Sequence, residues 1–221
     1  MPLSDRYRAV VFDMDGLLLD TELLWHAAEV ALFERHGDTF TWDDKMRVIG
    51  TSFAASGAFF AERLGLPATE GPALVAEMHE LMRDLLRRDV RARPGALALV
   101  RALHEREIPV ALASNSTRDL VDLALATAGL TDAFDATVSS SEVEHPKPAP
   151  DIYLRACQLL GVAPSAAVAL EDSPSGIAAA KAAGLACIAV PQFVETDVSA
   201  ADEVVDSLED LLDVPSVRGE V

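Results

Sequence analysis

The sequence predicts an α/β fold in which a doubly wound parallel sheet carries a helical domain inserted after its first strand. From residue 92 onward, short apolar runs alternate with helix-forming segments, and such alternation is typical of βαβ units covered by helices on both faces. The first apolar run, near residue 10, is separated from the others by roughly 70 residues of helical pattern, which is far too long for one crossover. We therefore expect this stretch to form a separate domain.

The first strand is predicted at Arg8–Phe12, a short run that is apolar after its first residue. From Asp20 to Val90 the pattern is nearly all helical, and this stretch holds most of the large aromatic residues of the chain. Loops are predicted inside it at His36–Thr41, Gly50–Thr51 and Leu66–Pro72.

Helices and strands alternate after Arg91–Gly95. Ser116 is the predicted N-cap of one helix, and Gly129, Gly161 and Gly184 follow the ends of three helices. The predicted helices are Ala96–Glu107, Thr117–Ala128, Pro150–Leu160 and the segment from Ser173-Pro174 to Gly184. The predicted strands are Pro109–Ala113, Ala136–Ser139, Ala167–Leu170, Leu185–Val190 and Glu203–Val205.

The composition indicates a folded protein and restricts its partners. Half of the 221 residues are hydrophobic and 24% are charged, so the chain can form a core. The formal net charge of −18 argues against nucleic acid and against anionic membrane surfaces as partners. Because this charge also repels phosphate at long range, any phosphate site must create a local positive field.

Cysteine use and hydropathy favour a cytoplasmic protein. Cys157 and Cys187 stand in apolar stretches without metal-type spacing, so both are predicted to be reduced core thiols. The N-terminal segment lacks the apolar region of a signal peptide, and no apolar stretch is long enough to span a bilayer. Since no coiled-coil pattern or association stripe is visible, we expect a monomer.

Polar residues stand in four groups near the ends of predicted strands or before a helix. In a parallel sheet the carboxyl ends of strands share one edge, where ligands bind at the point at which strand order reverses. Several carboxylates at one edge need a cation, and a hard divalent metal such as Mg²⁺ would supply it. A lysine and backbone amides at the same edge would suit a phosphate group. The groups are Asp13 with Asp15, Ser114 with Asn115, Lys147, and Glu171 with Asp172.

These residues lie in four stretches that resemble the motifs of the haloacid dehalogenase-like superfamily in order and spacing. The stretches are DMDGLLLDTELLW, LASNS, KPAPDIY and LEDSPSGIAAAKAAG. More narrowly, they resemble the branch of small sugar-phosphate phosphatases and beta-phosphoglucomutases, which carry a helical cap after the first strand. The resemblance implies a Rossmann-like catalytic core at residues 1–18 and 92–221 and a cap at residues 19–91.

The resemblance implies a magnesium-dependent phosphatase acting on a small phosphomonoester, such as a sugar phosphate. Asp13 would be the nucleophile that becomes an aspartyl-phosphate. Asp15 would protonate the leaving oxygen and then activate the hydrolytic water. Dehalogenases of this fold lack the second aspartate, so Asp15 favours a phosphate ester as substrate.

The resemblance also implies binding roles for the remaining motif residues. The implied ligands of Mg²⁺ are Asp13, the backbone carbonyl of Asp15, Asp172 and, directly or through water, Glu171. The implied phosphate-binding residues are Ser114, Asn115, Gly16 and Lys147, and Lys147 would neutralise charge on the nucleophile and on the phosphate.

The helix that begins near Asp20 bears on substrate choice, because it starts beside the catalytic loop. Glu22 and Trp25 are therefore candidates for contact with the substrate. Beta-phosphoglucomutases carry a histidine at the position of Trp25, whereas this chain has His26 one residue later, about 100° further round a helix. The arginine that mutases use for a second phosphate is replaced by Phe53. These differences favour a phosphatase over the alternative, a phosphosugar mutase.

Two non-enzymatic functions remain as alternatives. Receiver domains of signalling systems also place acids, a hydroxyl residue and a lysine at one sheet edge, bind Mg²⁺ and form an aspartyl-phosphate, so the chain could be a phospho-switch. It could also be a binding protein built on the same core. The two aspartates after the first strand, followed by a helical insertion, distinguish the chain from a receiver domain. We therefore expect an enzyme whose partner is a small phosphorylated substrate.

Overall fold

The computed structural model describes residues 3–212 and shows the predicted α/β fold. Its strands are β1 (Ala9–Phe12), β2 (Val110–Ser114), β3 (Ala136–Ser139), β4 (Ala167–Glu171), β5 (Ala186–Ala189) and β6 (Glu203–Val204). They form one parallel sheet in the order β3-β2-β1-β4-β5-β6. The order reverses between β1 and β4, so the carboxyl ends of these two strands flank a crevice suited to a ligand. The predicted core limits at residues 1 and 221 lie outside the described residues.

Helices flank this sheet and fill the stretch between β1 and β2. They are α1 (Leu3–Arg6), α2 (Glu22–Arg35), α3 (Trp42–Val48), α4 (Phe53–Arg63), α5 (Gly71–Leu86), α6 (Ala96–Glu105), α7 (Arg118–Thr127), α8 (Asp151–Leu160) and α9 (Pro174–Ala183). Short 3₁₀ helices occur at Ala68–Glu70, Ser140–Glu142, Pro164–Ala166 and Leu208–Leu211. The helices α2 to α5 occupy the segment in which the sequence predicts an insertion.

The strand β1 lies at the centre of the core. Val10 pairs with Val110 of β2 on one side and with Val168 of β4 on the other. All four residues of β1 are fully buried, as expected of a strand covered on both faces of a parallel sheet. This position places Asp13, the residue after the strand, at the middle of the carboxyl edge.

Aromatic side chains link α2, α4 and the segment before α3. The ring centroid of Phe33 lies 4.9 Å from that of Phe40 and 5.8 Å from that of Phe60. The ring centroids of Trp25 and Phe53 are 5.5 Å apart. These rings therefore form part of a shared core.

Several local predictions are wrong, and among them β2 and α6 end one or two residues from their predicted ends, at Ser114 and Glu105. Gly71 and Pro72 form the first turn of α5 instead of a loop, and proline fits there because the N–H groups of a first turn have no helical partner. Ser116 is not an N-cap, since Thr117 precedes α7 and the hydroxyl of Ser116 donates a hydrogen bond elsewhere. The strand β4 extends one residue beyond its predicted end, to Glu171.

Both cysteines are buried and unpaired, as predicted. Burial raises the pKa of Cys157 to about 11 and that of Cys187 to about 12, so both thiols stay protonated at neutral pH. Among the described residues, no helix combines the length and the apolar character that crossing a bilayer requires.

Candidate active site

The polar residues predicted at strand ends converge at the carboxyl edge of the sheet. Asp13 follows β1, Ser114 ends β2 and Glu171 ends β4, and β1 lies between the other two strands. Lys147 arrives from the segment before α8 and reaches both Asp13 and Glu171. Residues from four separate parts of the chain therefore meet at one place.

Lys147 joins two carboxylates in a buried ion-pair network. Its Nζ lies 2.5 Å from Oδ1 of Asp13 and 2.6 Å from Oε1 of Glu171. The side chain of Lys147 is 3% exposed, that of Asp13 10% and that of Glu171 not at all. Since these charges are largely out of water, each depends on the others for stabilisation.

Glu171 is held by five hydrogen bonds. Its Oε1 accepts from the Nζ of Lys147 and from the hydroxyl of Tyr153, both at 2.6 Å. Its Oε2 accepts from the backbone N–H of Asp172 at 3.1 Å and from the N–H and hydroxyl of Ser173 at 3.2 and 3.1 Å. Because a carboxylate offers about four acceptor sites, Glu171 has little capacity for a further ligand.

The site carries more negative charge than Lys147 balances. Burial raises the pKa of Asp13 well above its usual value, and repulsion from Glu171 adds to this although Lys147 opposes it. Burial likewise raises the pKa of Asp172, with the charges of Asp13 and Glu171 adding to the effect. Although burial lowers it, the pKa of Lys147 is raised overall by the two carboxylates, so the ammonium group stays charged. A second cation would relieve the repulsion among the acids.

Three carboxylates lie close enough to hold such a cation together. Within the described part of the chain, one oxygen each from Asp13, Glu171 and Asp172 lies within 4.8 Å of the others. Gly16 borders this group with a φ of +83°, and a Cβ at residue 16 would lie 2.2 Å from Oδ2 of Asp172. Position 16 therefore requires glycine, because a side chain would displace the carboxylate of Asp172.

Asp15 is held by four hydroxyl and indole donors. Its Oδ1 accepts from the hydroxyl of Thr21 at 2.7 Å and from Nε1 of Trp25 at 2.9 Å. Its Oδ2 accepts from the hydroxyls of Ser114 at 3.1 Å and Ser116 at 2.9 Å. The hydroxyl of Ser114, predicted to contact phosphate, is thus directed at Asp15. Trp25, predicted to contact substrate, donates its indole N–H to the same carboxylate.

Asn115, also predicted at the phosphate, hydrogen-bonds to the main chain of Lys147. Its Oδ1 accepts from the N–H of Lys147 at 2.9 Å, and its Nδ2 donates to the carbonyl of Lys147 at 3.1 Å. The pair of bonds fixes the segment that carries the lysine to the end of β2. The Asn115 side chain therefore orients Lys147.

A small cavity lies between this edge of the sheet and the helices α2 to α4. Its volume is about 80 Å³. The hydroxyl of Ser175 on α9 donates to the carbonyl of Gly50, between α3 and α4, and closes one side. The sheet edge contributes Asp13, Asp15 and Lys147 to the lining, and the helices contribute Glu22, Glu29 and Lys45.

Sequence reasoning missed several of these residues. Ser116 carries a cap-like signal in the sequence, and only the structure directs its hydroxyl to Asp15. Tyr153 stands in the motif KPAPDIY, but its contact with Glu171 depends on how α8 packs beneath the sheet edge. Lys45, in the polar segment WDDK, carries no signal that separates it from a solvated surface lysine.

Comparisons with known proteins identify relatives over most of the chain. A family model described as haloacid dehalogenase-like hydrolase matches residues 7–184. The probable pseudouridine-5'-phosphatase of Drosophila melanogaster is 37% identical over 90% of this chain and 89% of its own. The fructose-1-phosphate phosphatase YqaB of Escherichia coli strain K12 is 33% identical over 85% of this chain and 98% of its own. The crystal structure of CbbY from Rhodobacter sphaeroides in complex with phosphate has a TM-score of 0.81 and 28% identity, covering 93% of this chain and 96% of that one.

The family match includes every motif residue of the site described above. Both of these named relatives exceed 30% identity over more than four fifths of this chain, and both are named as phosphatases. The resemblance predicted from the four motifs is therefore confirmed: the chain belongs to the haloacid dehalogenase-like hydrolase family, and as an enzyme it is a phosphatase.

Proposed function

We propose that this phosphatase hydrolyses a small phosphomonoester through a phosphorylated Asp13, with Mg²⁺ as cofactor. The observation that carries the proposal is the pairing of Asp13 with Lys147 at 2.5 Å, beside Asp172 and two residues before Asp15. A carboxylate oriented by a buried ammonium group and bordering a cavity can act as a nucleophile. Sugar and related phosphates are the proposed substrates, because relatives are named for fructose 1-phosphate and pseudouridine 5'-phosphate.

In this proposal, Asp13 gains and loses a bond to phosphorus in two steps. First, a carboxylate oxygen of Asp13 bonds to phosphorus while the ester oxygen leaves with the proton of Asp15, which enters this step as the carboxylic acid. Then the oxygen of a water bonds to phosphorus as Asp15 takes a proton from that water, and the bond to Asp13 breaks. Phosphate leaves, and both aspartates return to their starting states.

Other polar residues of the edge orient these two aspartates and the phosphoryl group. We propose that Ser114 acts through its hydrogen bond to Asp15, and that Asn115 acts through its bonds to the main chain of Lys147. Lys147 would then stabilise charge on the phosphoryl oxygens as well as on Asp13. Such positioning and electrostatic stabilisation supply most of the catalysis in phosphoryl transfer.

The acidic group fits a divalent cation such as Mg²⁺. Its donors are carboxylate oxygens, which hard cations prefer. Burial raises the pKa values of Asp13 and Asp172, and repulsion among the neighbouring carboxylates adds to this. Since Glu171 already accepts five hydrogen bonds, we propose Asp13, Asp172 and the backbone carbonyl of Asp15 as ligands, with Glu171 behind them. Mg²⁺ would neutralise charge where the phosphate approaches the nucleophile.

We expect the variant Asp172→Asn to lose stabilisation by Mg²⁺. A ligand at 100 times its Kd stabilises a folded protein by about 2.7 kcal/mol, so saturating Mg²⁺ should raise the melting temperature of the wild-type chain. The variant lacks one charged ligand, and its melting temperature should barely respond. Calorimetry with and without Mg²⁺ measures the melting temperatures of the wild-type chain and of the variant. The matched control is Asp132→Asn, the same change at an exposed position away from the site. An equal response of the Asp172 variant and the wild-type chain would refute the assignment.

We propose that the helices form a cap, residues 19–91, on a catalytic core at residues 1–18 and 92–221. The two links near Leu18 and Arg91 run side by side, since the N–H of Asp20 donates to the carbonyl of Arg91 at 2.9 Å. Paired links of this kind allow one body to hinge on the other.

Opening of the cap would admit the substrate. The cavity lies between the proposed core and the proposed cap, so their separation would widen its entrance. Arg83 of α5 pairs with Asp119 of α7 at 2.7 Å, and this contact between the proposed cap and core would break on opening. Closure would then exclude water while the phosphorylated aspartate forms.

Trp25 is expected to act as a positioning residue for Asp15. In Trp25→Phe an aromatic ring can still pack against Phe53, but the Nε1–H donor to Asp15 is lost. Because hydrogen bonds to charged groups contribute about 1.5–3 kcal/mol, we expect kcat to fall at least about 10-fold. Steady-state phosphate release measures this, with Trp42→Phe as the control because Trp42 is 37% exposed. Equal kcat values for the wild-type chain and the folded Trp25 variant would contradict the role.

Phosphate release from a panel of sugar, polyol and nucleoside monophosphates, with and without Mg²⁺, tests the proposed function. Release that requires Mg²⁺ is the expected result. Conversion of beta-glucose 1-phosphate to glucose 6-phosphate without release would instead indicate a mutase. A stable phosphoprotein after acetyl phosphate treatment, with no turnover, would indicate a switch.

A further inference from the structure

Gln192 brings a buried oxygen without a hydrogen bond to the acidic edge of the sheet. It lies three residues after β5 and belongs to none of the four motifs. The N–H of Val190 donates to the carbonyl of Glu171 at 2.7 Å, which holds the start of this loop against the end of β4. Oε1 of Gln192 is buried and accepts no hydrogen bond from the described part of the chain. Such an oxygen is costly unless a donor or a cation reaches it.

The nitrogen of the same amide group fixes the direction of this oxygen. Nε2 of Gln192 donates to Oδ1 of Asp20 at 2.7 Å. Asp20 is itself anchored, because its N–H donates to the carbonyl of Arg91 at 2.9 Å. Since an ionised carboxylate only accepts hydrogen bonds, the amide turns its nitrogen toward Asp20 and its oxygen away from it. A rotation that placed a donor where Oε1 lies would set two acceptors against each other at Asp20.

Oε1 of Gln192 points to the side of the acidic edge where Asp172 lies. Both groups border Gly16, since a Cβ at residue 16 would lie 2.2 Å from Oδ2 of Asp172 and 3.1 Å from Oε1 of Gln192. Two acceptor oxygens do not stabilise each other when Asp172 is ionised, as it is in a ligand of Mg²⁺. Both can, however, serve one hydrated cation, because carboxylate and amide oxygens and water are all suited to Mg²⁺.

We propose that Gln192 binds, through Oε1, a water molecule of the Mg²⁺ site and so positions the ion beside Asp172. The inference rests on the proposed Mg²⁺ site and adds a residue to it. Mg²⁺ keeps several of its waters when it binds to a protein, and a coordinated water directs its hydrogens away from the ion, toward an acceptor. Side chains at such outer positions orient the inner ligands and tune affinity for the metal. Gln192 is therefore a positioning residue.

The test is calorimetric titration of Mg²⁺ into the wild-type chain and two variants. Gln192→Met keeps a side chain of similar length without the amide, so the Kd for Mg²⁺ should rise about 10-fold, as is usual when an outer partner of a metal site is lost. Gln192→Glu keeps an oxygen and adds a negative charge, so its Kd should fall below the wild-type value. Both variants lose the donor to Asp20. A residue that served only the structure of the loop would therefore shift the Kd in the same direction in both.

The matched control is Gln158→Met, the same change at an exposed position of α8, which should keep the wild-type Kd. Melting curves in EDTA verify that each variant folds without the metal. The inference is overturned if Gln192→Met keeps the wild-type Kd, or if the two Gln192 variants shift the Kd in the same direction. A wild-type chain that binds no Mg²⁺ would overturn both the proposed metal site and this inference.

Failure of the proposed function gives a different result, because the titration contains no substrate. The wild-type chain would then release phosphate from none of the monophosphates in the panel, whatever its Kd for Mg²⁺.

Discussion

Replacing Asp13 with asparagine is expected to lower the rate of phosphate release by about 10⁴-fold or more, with the fold intact. The amide has nearly the size of the carboxylate but is a poor nucleophile, so the covalent step should fail rather than slow slightly. Removal of this charge also relieves repulsion with Glu171 and Asp172, because burial and these neighbours raise the pKa of both Asp13 and Asp172. Stability should therefore change far less than activity.

Phosphate release from the panel of monophosphates measures the loss, and urea unfolding measures stability. Asp132→Asn makes the same chemical change at an exposed position and should retain activity. A third measurement is trapping of the phosphorylated protein by rapid acid quench, which should label the wild-type chain and not the Asp13 variant. Persistent labelling of that variant would place the nucleophile on another residue.

The positions of the catalytic candidates could be predicted because short-range sequence features determine them. Asp13 and Glu171 each follow a short apolar run that is predicted as a strand and is fully buried in the structure, and parallel strands share their carboxyl edge. The sequence therefore brings these residues together without any knowledge of side-chain contacts. The position of Lys147 at the same edge is a weaker prediction, because this lysine precedes a helix rather than follows a strand.

The partners of individual side chains could not be predicted, because they depend on how distant segments pack. Ser114 stands at the predicted strand end, but the choice between phosphate and Asp15 for its hydroxyl depends on the loop after β1. Lys45 is more instructive, since a lysine in a polar helix is normally solvated. Its burial follows from the arrival of Glu22 and Glu29 from another helix, and no periodicity in α3 alone indicates that.

Lys147→Met is expected to damage both folding and catalysis, since it leaves the buried carboxylates of Asp13 and Glu171 without their cation. Breaking a buried ion pair from one side costs about 3–5 kcal/mol, and Glu171 would also lose the hydrogen bond at 2.6 Å. Methionine has similar length, so the loss would arise from charge rather than from a cavity. Urea unfolding should show the decrease, and phosphate release should be nearly abolished.

The chain provides a matched comparison in Lys181→Met. Lys181 lies 2.5 Å from Asp202, the same distance that separates Lys147 from Asp13, but its side chain is 39% exposed and that of Asp202 is 47% exposed. Water already stabilises both charges there, so the same substitution should cost about 0–1 kcal/mol. Equal decreases in the free energy of unfolding of the two variants would mean that burial does not control the energy of the Lys147 network. A large loss of stability confined to the Lys147 variant would mean that this ammonium group keeps the acids of the sheet edge together. The chain has a net charge of −18, so Asp13 can be presented to a phosphate only where such a local positive charge is held.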